Sequence, residues 1–151
     1  MAQKIRLHKG LSRKEVVTIA EQTLVSGGVK PLQPGDVMPD GTIYAGKSPD
    51  KRKPMYTTPA DAPQPMDFRA AESYARDLKD HGHSDWRLPS KAELKVLYKN
   101  RAAIGGFADT DYWSSTTWGG RPDLGIWRHD FARGEPKRTI TFKTHSLRCV
   151  R

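Results

Sequence analysis

Few side chains in this sequence can do covalent chemistry, and their settings argue against it. Cys149 is the single cysteine, which excludes an intramolecular disulfide and a zinc site built on cysteines. It stands beside Leu147 and Val150, where a thiol is expected to be buried as a small apolar group. Ser114 and Ser115 are nucleophiles by type, but they lie in a strand-like run with no nucleophile elbow and no marked base. The histidines are His8, His81, His83, His129 and His145. His81 and His83 flank a glycine at an expected helix end, where a cation suits the helix dipole; a metal ion held by the pair is the competing reading. Asp109 and Asp111 precede Tyr112-Trp113. Calcium there would need about six oxygens, with Asp123 and Asp130 the further donors in view. No cofactor is expected, and calcium at these aspartates is left open.

Recognition chemistry is better represented. Trp118 precedes Gly119-Gly120-Arg121-Pro122, a turn sequence, and turns lie at the surface. An indole offers a flat apolar face, and an arginine beside it offers a planar fork for carboxylate, sulfate or phosphate. Packing of Trp118 in the core is the alternative.

The elements that would hold these residues follow from periodicity. Ser12 and Glu15 form a capping box before Val16, Val17, Ile19, Ala20 and Leu24, which predicts a helix over residues 12–25. Ser26-Gly27-Gly28 ends it. Residues 35–66 include nine glycines and prolines and read as short strands around a Pro39-Asp40-Gly41 turn, a loop at 48–53, a return strand at 55–58 and an extended stretch to Pro65. Asp67 caps a second helix bearing Phe68, Ala71, Tyr74, Ala75 and Leu78, ending near His81-Gly82-His83. Ser90 and Glu93 form another capping box for a third helix, which Gly105-Gly106 terminates. From Tyr112 the period becomes two. Strands are expected at 112–116, 127–131, 139–144 and 147–151, with Trp127, His129 and Phe131 facing inward and Arg128 and Asp130 outward. Ile140 and Phe142 share a side of the third. This is an α+β pattern.

The net charge is +9, and residues 1–30 and 101–151 each carry +4. A basic but dispersed distribution argues against nucleic acid as a partner and leaves two readings, a solvated surface or a preference for anionic ligands. No apolar stretch follows the basic N-terminus, so no secretory signal is expected, and nothing approaches a membrane span. Cytoplasmic synthesis is expected, with passage into a virion or another non-classical route left open.

Four motifs occur in order: Asp85-Trp86-Arg87-Leu88-Pro89-Ser90-x-x-Glu93-Leu94, Tyr112-Trp113-Ser114-Ser115, Trp127-x-x-Asp130-Phe131-x-x-Gly134, and Leu147-Arg148-Cys149-Val150-Arg151. Residues 35–151 thereby resemble the C-terminal domain of a bacterial collagen-like adhesin, the Lcl C-terminal domain. The resemblance implies a C-type-lectin-like fold, related to formylglycine-generating enzymes and phage variable proteins, with two helices and a C-terminal antiparallel β meander. An N-terminal helical arm, residues 1–34, would precede it. The enzymes of that group need a reactive cysteine pair holding copper, and one cysteine cannot supply it, so no enzymatic activity is expected. The fold variant binds ligands on its last strands and loops. Carried onto this sequence, that surface is Trp118, Arg121, Asp123, Arg128, Asp130, Arg133 and Lys137. The expected function is adhesion or recognition of a glycan or protein surface of anionic character. The alternative is a structural or receptor-binding component of a phage particle or other assembly, docked or homo-oligomerised through residues 1–30.

Overall fold

A computed structural model describes residues 30–151; the expected helix at 12–25 and the docking arm lie outside the described residues. Among the described residues the chain is α+β, with two antiparallel sheets and three helices. Strands β1 (Ile43–Lys47) and β2 (Pro54–Thr57) pair across a turn closed by Ser48 N–H to Lys53 O, 2.9 Å. Before β1, the Pro39-Asp40-Gly41 turn reduces the expected first strand to one bridge, Val37 to Ile43.

Helix α1 (Phe68–Asp77) starts where its cap predicts, with Asp67 accepting from the Ala70 amide. It stops before His81, which takes a left-handed φ of 55°. Helix α2 (Lys91–Lys99) has the full capping box, Ser90 and Glu93 each bonding the other's backbone. A single extra turn, α3 (Arg101–Ile104), follows before Gly105. The sequence places one helix here; Asn100, whose φ and ψ are −100° and 12°, breaks it in two.

The second sheet orders as β3 (Asp111–Thr117), β4 (Ile126–Asp130) and β5 (Glu135–Thr139). Successive residues of a strand point to opposite faces, yet Tyr112 and Trp113 are both fully buried. Helix α2 covers one face, where Tyr98 packs on His129 and Phe131. Helix α1 covers the other, where Phe68 meets Trp113 edge-on at 5.4 Å. The core is thus two clusters divided by the sheet, one around Tyr112, Phe131, Leu94 and Leu97, the other around Trp113, Trp86, Ile126 and Leu147.

Two expectations need correction. The strand placed at 139–144 lies instead at Glu135–Thr139, because β4 begins at Ile126 and offers no partner beyond the Ile126–Thr139 pair. Ile140 and Phe142 therefore fall in a loop and are exposed. The outward projection of Arg128 and Asp130 also fails in part. They share a face with Trp113 and Ile126, which α1 and its neighbours half cover, so only 20% and 13% of their side chains are exposed.

The tight β4–β5 turn depends on Gly134. Its φ is 77°, and a Cβ there would lie 2.6 Å from the Tyr98 ring. The last residues form bridges rather than a full strand. Val150 pairs with both Thr57 and Arg87, so the C-terminus is stitched between β2 and the segment before α2.

Candidate ligand-binding surface

The motif residues are consumed by the fold. Glu93 is completely buried, and its carboxylate accepts from Arg87 Nη1 at 2.6 Å and Nη2 at 2.8 Å, from the Ser48 hydroxyl at 2.6 Å and from the Ser90 amide at 2.9 Å. Burial alone would raise its pKa; the bonds from Arg87 and Ser48, the Ser90 amide and the Arg87 charge outweigh it and hold the value at about 2. Arg148, also fully buried, donates to Asp61 (2.8 Å) and to the Thr58 and Gly105 carbonyls. Asp61 in turn accepts from the Tyr112 hydroxyl. Trp86 donates to Asp80 O at 3.1 Å and Trp113 to Met66 O at 2.7 Å. Arg151 grips Asp85 through two bonds. These residues of the first, second and fourth motifs tie distant segments together.

The groups with chemical potential are similarly engaged. The Ser114 hydroxyl is buried and donates to Trp127 O at 2.6 Å. Cys149 is 2% exposed, and burial pushes its thiol up to about 12. His83 meets Asp40 at 2.6 Å, and His81 bonds the Asp40 carbonyl. His145 bonds Thr139, and burial lowers its pKa. His129 is buried between Tyr98 and Phe131 with Nε2 unpartnered, and burial lowers its pKa as well. Among the described residues no group of three or more His, Cys, Asp or Glu is placed to hold a metal ion.

What remains free is an aromatic and cationic ledge at the end of the sheet where β4 begins. Trp118 N–H bonds Gly125 O at 2.8 Å, closing the 118–125 loop. The Trp118 ring, 37% exposed, packs on Trp127 with centroids 4.9 Å apart and planes tilted by 43°. Lys91 Nζ lies 3.5 Å above the Trp127 ring, and the Arg138 guanidinium lies 5.0 Å from the Trp118 centroid. Arg138 is aimed by its bonds to Leu124 O at 3.0 and 2.5 Å. Gly125 makes that possible, since a Cβ there would stand 2.9 Å from Arg138 Nε. Such contacts hold rigid indole faces beside fixed positive charge, an arrangement suited to a sugar ring or a flat group carrying an anion.

The seven residues expected to form the binding surface divide into three places. Trp118, Arg121 and Asp123 lie together on the ledge loop, with Arg121 and Asp123 paired to each other through two bonds. Arg133 is exposed at the opposite end of β4, about 16 Å of strand away. Arg128, Asp130 and Lys137 form an ion-pair lattice on the sheet. Arg128 sits against Asp111 without a directed hydrogen bond to its Oδ1. Asp130 caps the amides of Ala132 and Arg133 at 2.9 and 3.1 Å, and Lys137 meets both Asp130 and Glu135 at 3.3 Å. Burial would raise the Asp130 pKa, but the bonds from the Arg133 and Ala132 amides and Lys137 lower it overall.

Lys91, Trp127 and Arg138 complete the ledge, and sequence reasoning missed them. Arg138 had a signal: a tight turn at Gly134 sets it opposite Trp127. Trp127 was expected in the core with His129 and Phe131, but α2 begins above it with Lys91 and leaves it half-buried. Lys91 had none, being 36 positions from the ring it covers.

A search among curated proteins returned no match. The profile of the Lcl C-terminal domain matches residues 47–151. That span holds both helices that cover the second sheet, all three of its strands and every motif residue in the networks above. The chain belongs to the Lcl C-terminal domain family.

Proposed function

We propose that this protein is a non-catalytic recognition module of C-type-lectin-like fold, whose ledge binds a glycan or protein surface of anionic character. The observation that carries the reading is the Trp118–Trp127 pair flanked by Lys91 and Arg138, left partly exposed while polar residues of the motifs are bonded internally. Two features support the lectin-like relationship: a C-terminal segment that returns to pair with β2, and a three-stranded sheet backed by two helices. Both cations on the ledge are positioned by neighbouring groups, so little side-chain order has to be imposed on binding.

The test is titration calorimetry of the full chain with acidic and neutral oligosaccharides of equal length. Acidic chains should bind more tightly, with affinity falling as salt rises. Trp118→Ala and Arg138→Ala should each weaken binding at least fivefold while the thermal midpoint stays within about 2 °C of the parent, as expected for surface changes. Loss of binding that only follows loss of stability would count against the ledge. So would equal affinity for neutral and acidic chains.

A further inference from the structure

Five large apolar side chains are exposed among the described residues, and four of them gather in one place. Trp118 and Leu124 flank the loop between β3 and β4, while Ile140 and Phe142 follow β5. The Thr117–Ile126 and Ile126–Thr139 pairs set both loops at the same end of the sheet. Phe142 is 77% exposed.

The fold holds this phenylalanine out. Its loop is clamped at the base by Phe68 N–H to Thr141 O (2.9 Å), by two bonds between Met66 and His145 (3.1 Å each), and by Thr139 Oγ1 to His145 Nε2 (2.8 Å). A turn across the tip is closed by Lys143 N–H to Ile140 O at 3.3 Å. Phe142 therefore cannot fold back onto the core without breaking several hydrogen bonds.

The surroundings are basic. Arg121, Arg138 and Lys143 border the two loops, and Arg69 follows the residue that clamps Thr141. The carboxylates on these segments are Asp123, held by Arg121, Asp67, bonded to the Ala70 amide, and Asp111, paired with Arg128 and 4.0 Å from His145. Pairing with a second copy through this end would set like charges together. Phe142 stands 77% exposed in the turn that Lys143 N–H closes on Ile140 O, so the apolar tip protrudes from the surface. A convex apolar protrusion ringed by cations fits a deformable anionic phase better than a preformed pocket.

We propose that this end of the sheet rests on an anionic lipid surface, with Phe142 and Ile140 inserted at the boundary between headgroups and acyl chains and the arginines and Lys143 against phosphate. Indole and cationic side chains favour that depth. The proposal shares Trp118 and Arg138 with the ledge but does not rest on its ligand reading, because the inserted side chains, Phe142 and Ile140, lie outside the Trp118–Trp127 pair.

The experiment is sedimentation of the full chain with phosphatidylcholine vesicles with and without phosphatidylserine. Binding should be at least tenfold tighter with phosphatidylserine and should weaken with salt. Phe142→Asp and Ile140→Ser should each reduce it at least fivefold with unchanged thermal midpoint and unchanged oligosaccharide affinity. A Phe142→Trp variant should shift its emission to the blue on adding phosphatidylserine vesicles, relative to the parent. The proposal is overturned if Phe142→Asp binds vesicles like the parent, or if Trp118→Ala abolishes vesicle binding while Phe142→Asp does not. It is also overturned if Phe142→Asp acts only by dispersing a self-associated form.

Discussion

Replacing Glu93 with glutamine tests whether the family motif is scaffold or machinery. The carboxylate is wholly buried and accepts four hydrogen bonds, two of them from Arg87. Glutamine keeps the volume, but its amide nitrogen must face a donor, either the guanidinium or the Ser48 hydroxyl. Two routes give the size of the effect. Lowering a carboxyl pKa from 4.5 to about 2 corresponds to about 3 kcal/mol of folding stability at neutral pH. Breaking a buried ion pair by removing one partner costs about 3–5 kcal/mol. The routes agree near the lower figure, which lowers the thermal midpoint by roughly 6–12 °C for a chain of this size. The sign with pH follows. A depressed acid contributes its full stability above its unfolded value of 4.5 and loses it as pH falls toward about 2. Urea unfolding of parent and Glu93→Gln should therefore differ by about 3 kcal/mol at neutral pH, and the gap should close on acidification through that window. A midpoint equal to the parent's at neutral pH would refute the scaffold reading. So would a gap that persists at about pH 2, since the charge would then not be its source.

Trp86→Ala removes a 3% exposed indole and its bond to Asp80; a loss of about 3–5 kcal/mol is expected in the same urea assay. Cys149, buried and with its thiol raised to about 12, should resist a thiol reagent in the native protein and react at once when unfolded, because the thiolate is the reactive form. Rapid native labelling would show that the strand region around it opens readily.

The helices were legible because their signals are local. Asp67, and Ser90 with Glu93, sit at the ends they cap, and such caps act within one turn. The β4–β5 hairpin was legible in part. Its turn was found, yet the strand after it was set four residues late, because Pro136 and alternating polar residues disguise an edge strand. The burial of Arg148 and Glu93 was not legible. Composition reads charged residues as surface, and their partners Asp61 and Ser48 lie 87 and 45 positions away.

By itself the sequence determined the family, the α+β class, the helix starts and an isolated thiol among apolar neighbours, since each depends on residue type or on spacing within a few positions. Only the tertiary structure decided which charges are free. Arg128 and Arg138 are the same letter, but strand register sets the first into an ion pair with Asp111 and aims the second over an exposed indole. Register and helix placement bring together side chains far apart in the chain, and the fate of a charge depends on what it meets there.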